Sequence, residues 1–152
     1  FWAGERTGYA SNRSLVFQQL PTAGLPPRLD GWSDYESVVR ITVEAEDMPR
    51  DAAGTVFHDG KPRVIEIRGI GIDAPFAPHM LYVRNRDRPG LIGALGMTLG
   101  DAQINIATFH LGRDRPGGDA IALVEVDGPI PDYVLDRVCK LPQVIHARQL
   151  NF

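Results

Sequence analysis

The clearest pattern of apolar and polar positions lies in the second half of the chain. Two runs carry apolar residues at helical spacing; in the first, Leu91, Leu95 and Leu99 fall at i, i+4 and i+8. The predicted helices cover 88–101 and 131–141. Four runs have the composition and length of strands, and they cover 80–85, 104–113, 120–126 and 143–150. The resulting β-α-β-β-α-β order predicts an α+β, ferredoxin-like unit, which is an antiparallel sheet with both helices on one face.

The first half of the chain is patterned less regularly. Residues 1–32 contain prolines and glycines that interrupt both the helical and the strand period of apolar residues. We interpret this range as an irregular leader or linker. Alternation over 35–46 predicts a strand. Residues 52–69 give two extended runs around Asp59-Gly60, a strong hairpin signal. Two prolines in 72–79 indicate a link between subdomains.

Composition and charge narrow the class of protein. A formal net charge of −3 argues against a general nucleic-acid surface, which would be basic. The single cysteine, Cys139, cannot form an internal disulfide, which fits a reducing cytoplasm, and we expect it to be buried filler. No apolar run approaches the ~20 residues of a membrane helix. We therefore expect a cytoplasmic protein with no membrane partner and, because the chain starts with Phe1, a fragment of a longer or trimmed protein.

Several familiar motifs do not indicate a functional site in this sequence, because their context or spacing is wrong or the motif is absent. The run from Gly69 to Ala74 fits G-x-G-x-x-A, but Pro75 and Pro78 follow where a dinucleotide site needs a helix. The four histidines lack the spacing of metal ligands, and no nucleophile elbow or phosphate-binding loop is present. The run at 117–126, which contains the third predicted strand, has no aromatic residue on which RNA bases could stack. The sequence thus predicts neither a catalytic residue nor a metal site, and no nucleic-acid partner.

The corner from Asp87 to Gly90 is the best candidate for ligand chemistry. Pro89 suits the first turn of a helix, and Gly90 lets a ligand approach the backbone closely. Free N–H groups at a helix N-terminus attract a carboxylate, and Asp87 beside them could pair with an ammonium group. An α-amino acid offers both charges. Taken alone, the local sequence favours a simpler role, in which Asp87 only caps the helix.

Asn105, at the start of an otherwise apolar predicted strand, has a similar pair of interpretations. Its amide could bond to the neighbouring backbone. It could instead donate to and accept from a ligand held at Asp87. The pattern alone leaves both open.

Five stretches of the sequence resemble a known family. The runs LYVRNRDRPGLIG, DAQINIATFHLGR and GGDAIALVEVDGPIP closely resemble the C-terminal ACT domain of the D-3-phosphoglycerate dehydrogenase family. The runs SDYESVVRITVE and GTVFHDGKPRVIEIRGIGIDAPFAPHMLYV resemble the later part of its intervening, allosteric substrate-binding domain. The resemblance implies part of that intervening domain over 33–78 and an ACT domain over 79–152, and it leaves 1–32 unassigned.

The resemblance also implies a function and a site. In this family the ACT domain binds L-serine, the end product of the pathway, at a contact between two ACT domains, and serine inhibits the enzyme. Carried over, Asp87 would take the amino group, backbone at Gly90 and Leu91 the carboxylate, and Asn85 would line the pocket. Asn105 would close the pocket from the facing subunit. The neighbouring positions included in the expected site are Arg88, Pro89 and Ile106.

Two further expectations come from the same resemblance. Lys61 and Arg63 in the upstream hairpin could hold a phosphorylated ligand between the two domains. The catalytic and NAD-binding domains of such an enzyme lie before this region, so the chain alone would bind no cofactor and catalyse nothing. Two alternatives remain open: the regulatory region of an L-serine dehydratase, and a stand-alone amino-acid-sensing or dimerising ACT module.

Overall fold

The computed structural model describes residues 15–20, 38–43 and 50–152. Within these ranges the chain forms two antiparallel sheets and two helices. The first sheet has the order β1-β2-β3-β4-β5 and the second the order β7-β8-β6-β9. The strands of the first sheet are β1 (Leu15–Leu20), β2 (Val38–Val43), β3 (Arg50–Val56), β4 (Pro62–Ile67) and β5 (Ile70–Pro75). The second unit comprises β6 (His79–Arg86), α1 (Leu91–Asp101), β7 (Ile106–Arg113), β8 (Asp119–Val126), α2 (Asp132–Cys139) and β9 (Val144–Asn151).

The second sheet confirms the fold predicted from the hydrophobic pattern. Its elements run β-α-β-β-α-β, and all neighbouring strands are antiparallel. Leu91, Leu95 and Leu99 are all buried, as their helical spacing predicts. The core between sheet and helices draws on β6, α1, β8, α2 and β9, and includes Leu81, Leu95, Val124, Val138 and Ala147. Both helices therefore cover the same face of this sheet.

The opposite face of the second sheet packs against the first sheet. Met80, Ile121 and Leu123 point to this side and form a second core with residues of β5 and the segment after it, which include Ile70, Ile72, Ala74 and Ala77. The approach is close at Gly112 of β7, where a Cβ atom would lie 2.2 Å from the carbonyl oxygen of Gly71. A glycine at position 112 thus lets the two sheets meet at this point.

The hairpin predicted around Asp59 and Gly60 is confirmed. Gly60 adopts φ +76°, and its N–H donates to the carbonyl of Phe57 at 2.8 Å. The Asp59 carboxylate accepts from the backbone N–H of Lys61 at 3.0 Å, the local bond that favours aspartate in turns. Pro62 is the first residue of β4, where its missing N–H is tolerated although β4 lies inside the sheet.

Three sequence expectations differ from the structure. Residues 72–79 are not merely a link, since β5 runs from Ile70 to Pro75. Alternate side chains of β5 are buried, so packing against the second sheet stabilises a strand here despite the prolines. The expected leader contains β1, whose backbone pairs with β2, while residues 1–14 and 21–32 lie outside the described ranges. Cys139 is exposed rather than buried, because the buried side of α2 is formed by Val134 and Val138. The proposed divisions at residues 32 and 78 stay predictions.

Candidate functional site

The corner between β6 and α1 is built by a left-handed glycine. Gly90 has φ +97° and ψ −15°, a region that glycine enters at little steric cost, and it occupies the N-cap position of α1. Arg88, Pro89 and Gly90 are exposed, whereas Leu91 is buried. The chain therefore turns at the surface and enters the helix with its first side chain already in the core.

The first turn of α1 keeps backbone donors available. No side chain caps this helix, and no acidic residue lies in its first turn. Its first helical hydrogen bond runs from the N–H of Ala94 to the carbonyl of Gly90 at 2.9 Å. The N–H groups of residues 91–93 therefore have no acceptor within the helix. Together with the positive end of the helix dipole, these groups can hold a carboxylate.

Asp87 does not cap α1, so this simpler interpretation of the residue is wrong. Its Oδ2 atom accepts from Arg113 Nη1 at 3.0 Å and from the backbone N–H of Gly117 at 3.0 Å. The Gly117 N–H, followed by the Arg113 guanidinium, lowers the pKa of Asp87 below its ordinary value. Asp87 is thus a carboxylate that ties the corner to the β7–β8 hairpin, and its second oxygen, Oδ1, has no hydrogen bond among the described residues.

Asn85 lies beneath this corner on the helix side of the sheet. Its side chain is buried, with the residue only 1% exposed, and its Nδ2 donates to the carbonyl of Arg86 at 2.9 Å. The Oδ1 atom is buried and accepts no hydrogen bond from any described residue. A buried acceptor without a donor is costly, so this oxygen is a place where a ligand N–H would be stabilising.

Gln143 was not among the residues predicted from the sequence, and the structure places it over the corner. Its Nε2 donates to the carbonyl of Pro89 at 3.4 Å and lies 3.6 Å from where a Cβ on Gly90 would be. Its Oε1, like the Oδ1 of Asn85, is buried and has no hydrogen-bond partner in the described part of the chain. The predicted topology could have located it, because β9 pairs with β6 and the carbonyl of Gln143 accepts from the N–H of Arg86.

Asn105 and Ile106 lie far from the corner within one chain. Asn105 is exposed and donates through Nδ2 to Asp127 Oδ2 at 2.9 Å, while Ile106 packs against the helix-side core. Both sit at the start of β7, whereas Arg113 at its end contacts Asp87. Eight strand residues span about 25 Å, so one copy of the chain cannot bring Asn105 to Asp87.

Lys61 and Arg63 lie in the first sheet, away from the corner. Lys61 is exposed and 3.9 Å from Asp59. Arg63 forms an ion pair with Asp73, with its Nε 2.7 Å from Asp73 Oδ1, and its guanidinium lies 5.2 Å from the centre of the Phe57 ring. The Arg63 charge is therefore already compensated, and a phosphorylated ligand at this pair stays a prediction.

The two other motifs weighed in the sequence have simple structural roles. The G-x-G-x-x-A run forms the β4–β5 turn and β5, and α1 begins only at Leu91, so no helix N-terminus faces these glycines. In the described ranges, no group of three or more His, Cys, Asp or Glu side chains is placed to hold a metal ion. None of the described helices is long and apolar enough to cross a membrane.

Comparison with known protein families identifies the second unit. Residues 79–143 match the ACT domain family, and the fold described above agrees, so this part of the chain is an ACT domain. Residues 1–73 match glutamate-cysteine ligase family 2. The described parts of that range are β1 to β4, the turns from β3 to β5, and the first residues of β5.

Individual relatives are of two kinds, dehydrogenases and ligases. The chain is 30% identical to a D-3-phosphoglycerate dehydrogenase of Methanocaldococcus jannaschii over 77% of its own length and 22% of the relative. It is 29% identical to that of Bacillus subtilis over 95% of its length and 26% of the relative. A stretch of 39 residues is 72% identical to a glutamate-cysteine ligase 2 of Clavibacter michiganensis and covers 10% of that protein. The chain spans about a quarter of the length of the dehydrogenases it matches.

Proposed function

We propose that the ACT domain of this chain is a regulatory module that binds L-serine at the β6–α1 corner and acts within a D-3-phosphoglycerate dehydrogenase. The supporting observation is the combination at one corner of an uncapped helix N-terminus with the buried, unpartnered Oδ1 of Asn85. The first offers N–H donors to a carboxylate, and the second offers an acceptor to an ammonium or hydroxyl group. An α-amino acid with a hydroxyl side chain matches both.

The site is completed by a second copy of the chain in this proposal. β7 is an edge strand of its sheet, so its outer backbone groups are free to pair. A twofold contact between two β7 edges is antiparallel and places the start of one strand beside the end of the other. Asn105 of the partner subunit would then approach the corner where Arg113 contacts Asp87. This geometry gives the exposed Asn105 a ligand to bind, which one copy alone cannot provide.

The two carboxylate oxygens of Asp87 have different roles in this arrangement. Its Oδ2 holds the hairpin through Arg113 and Gly117, and its Oδ1 faces the amino group of serine. Because Arg113 already neutralises part of the Asp87 charge, we expect the ammonium contact to add less affinity than an isolated carboxylate would. The buried amide oxygens of Asn85 and Gln143 then supply the remaining acceptors.

Serine bound across two copies would hold them in one relative orientation. In the full-length enzyme, inhibition follows if that orientation disfavours closure of the catalytic domains, with a coupling of ~1–3 kcal/mol. Oxidation of 3-phosphoglycerate with NAD would belong to domains outside this chain. Activity of the full-length enzyme, measured with and without serine, tests this step separately from binding.

Binding is tested by calorimetry of the 152-residue chain with L-serine, with D-serine as the stereochemical control. We expect saturable heat with L-serine, and weaker binding in Asn85→Leu and Asn105→Ala. Asn151→Ala is the matched control, since Asn151 is an exposed asparagine at the far end of β9. Sedimentation velocity should show serine favouring the dimer. The absence of heat with L-serine, or equal loss in Asn151→Ala and Asn105→Ala, would contradict the proposal.

A further inference from the structure

Gln143 belongs to the turn that joins α2 to β9. This turn is closed by the N–H of Val144, which donates to the carbonyl of Leu141 at 2.9 Å. The carbonyl of Gln143 accepts from the N–H of Arg86 at 2.9 Å, and Leu141 and Val144 pack against the helix-side core. The backbone of Gln143 is therefore anchored both to β6 and to the core, and rigid elements carry its side chain to the β6–α1 corner.

The carbonyl of Pro89 determines which end of the Gln143 amide is left for a ligand. Nε2 donates to this carbonyl at 3.4 Å. Turning the amide over would place Oε1 against the Pro89 oxygen, and two acceptors in contact repel each other. Nε2 is therefore committed to the backbone. Oε1 is buried, has no hydrogen-bond partner among the described residues, and is the end that a ligand can use.

Asn85 is oriented in the same way. Its Nδ2 donates to the carbonyl of Arg86 at 2.9 Å, and its Oδ1 is buried without a partner in the described ranges. The Oδ1 of Asp87 is a third acceptor that receives no hydrogen bond from a described residue. The corner thus offers acceptors from three side chains, whereas its donors are the backbone N–H groups of residues 91–93.

This separation of donors and acceptors restricts the ligand. In the proposed function the carboxylate of an amino acid takes the backbone N–H groups, and its ammonium group can donate to Asp87 and Asn85. The Oε1 of Gln143 then remains. The Gln143 amide lies over the start of α1, since its Nε2 is 3.6 Å from where a Cβ on Gly90 would be. Because the carboxylate and the side chain of an α-amino acid share one carbon atom, a group beside the carboxylate site is within reach of the ligand side chain.

We propose that Gln143 selects the side chain of the bound amino acid by accepting a hydrogen bond from its hydroxyl group, an inference that rests on the proposed function. A ligand with a methyl group there, such as L-alanine, would cover Oε1 without donating to it and would leave a buried acceptor unpaired. A carboxylate side chain, as in L-aspartate, would bring oxygen against oxygen. The site therefore takes a small amino acid whose side chain is a hydrogen-bond donor.

Gln143 lies outside the site residues that the family resemblance supplied, which come from the β6–α1 corner and the start of β7. It comes from the α2–β9 turn instead. The groups common to all α-amino acids and the side chain that distinguishes them are therefore bound by different segments of the chain. A substitution at residue 143 should change the selectivity of the site while the contacts of Asn85 and Asp87 stay in place.

The test compares the affinities of L-serine and L-alanine for the 152-residue chain by calorimetry. We expect the wild-type chain to bind L-serine roughly tenfold to a hundredfold more tightly, because L-alanine leaves one buried acceptor unpaired. In Gln143→Met, which keeps an unbranched side chain of similar size but has no amide, the two affinities should come within about threefold of each other. Loss of packing or of the Pro89 contact would weaken both amino acids alike, so the ratio of affinities separates selection from a structural role.

Gln149→Met is the matched control. Gln149 is a half-buried glutamine near the far end of β9, and its Nε2 donates to Asn151 Oδ1 at 3.0 Å. The same substitution there removes an amide of the same kind away from the corner, so this variant should keep the wild-type ratio of affinities.

Three outcomes would overturn the role of Gln143 and leave amino-acid binding at the corner intact. They are equal affinities for L-serine and L-alanine in the wild type, an unchanged ratio in Gln143→Met, and the same loss of ratio in Gln149→Met. The absence of saturable heat with either amino acid would instead contradict the proposed function, and the role of Gln143 with it. The wild-type comparison decides the matter even if a variant fails to fold.

Discussion

Asp87 and Arg113 join the two ends of the candidate site, with Arg113 Nη1 3.0 Å from Asp87 Oδ2. The pair links the residue that precedes α1 to the last residue of β7. The backbone reinforces this link, because the N–H of Asp87 donates to the carbonyl of Gly118 at 2.9 Å. The corner and the β7–β8 hairpin therefore move as one unit, and a ligand held at the corner acts on the edge strand as well.

The first prediction concerns the pH dependence of this link. The pKa of Asp87 in the folded protein is below its ordinary value of 3.8, so the folded state favours the charged form. The stabilisation is complete above about pH 4 and is lost as the pH falls through the folded-state pKa. In Asp87→Asn we therefore expect a lower free energy of unfolding at neutral pH, and a smaller difference from wild type at acidic pH.

A double-mutant cycle isolates the pair. Urea unfolding of Asp87→Asn, Arg113→Gln and the double variant should give a coupling energy at neutral pH that disappears once the Asp87 carboxylate is protonated. A coupling that stays constant down to acidic pH would show that the two side chains interact through packing and not through charge.

The second prediction concerns the close approach of the two sheets. A Cβ on residue 112 would lie 2.2 Å from the carbonyl oxygen of Gly71, and the backbone would have to move to relieve this contact. We expect Gly112→Ala to lower the free energy of unfolding by about 1–3 kcal/mol, as overpacking does. Urea denaturation measures it.

Gly71→Ala is the matched control for this contact. A Cβ at Gly71 meets no atom within 4 Å, although the same two residues face each other. Its free energy of unfolding should stay close to that of wild type. If both alanine variants lost the same stability, loss of glycine flexibility, and not the inter-sheet contact, would be the cause.

The third prediction concerns the turn before α1. Gly90 has φ +97°, so an alanine there is strained whatever the space around it, and we expect a loss of about 1 kcal/mol. Gly93→Ala should instead raise the free energy of unfolding by roughly 0.5–1 kcal/mol, since residue 93 lies inside the helix with open space around it.

Both glycine variants are compared by thermal unfolding monitored by circular dichroism. Opposite signs for Gly90→Ala and Gly93→Ala would show that backbone conformation, and not side-chain volume, decides the outcome. A stabilised Gly90→Ala would contradict the assignment of the N-cap.

The fourth prediction concerns the helix-side core. Leu95 is fully buried between α1 and the second sheet, and Leu95→Ala should cost about 2–5 kcal/mol. Met97 is on the same helix but 71% exposed, so Met97→Ala should change the free energy by less than about 0.5 kcal/mol. Equal costs in urea denaturation would mean that the exposed side of α1 is covered in solution.

The candidate site was only partly predictable. The Asp87-to-Gly90 corner was found from turn and helix-start chemistry, which depends on residues adjacent in sequence. Gln143 was missed because it reaches the corner through the β6–β9 pairing, far along the chain. Arg113 was missed because it reaches Asp87 from the end of β7, which is also distant along the chain.

The sequence by itself determined the β-α-β-β-α-β order of residues 79–152, because each element is specified by a short-range period of apolar residues and by turn chemistry. It also determined the hairpin at Asp59-Gly60, but it predicted that α1 starts at residue 88, three residues before its observed start at Leu91. Only the tertiary structure decided that β5 forms despite its prolines, that Asp87 bonds to Arg113 instead of capping the helix, and that Gly112 lies against Gly71. These features depend on contacts between residues distant in the chain, and such contacts exist only once the strands have paired and the two sheets have packed.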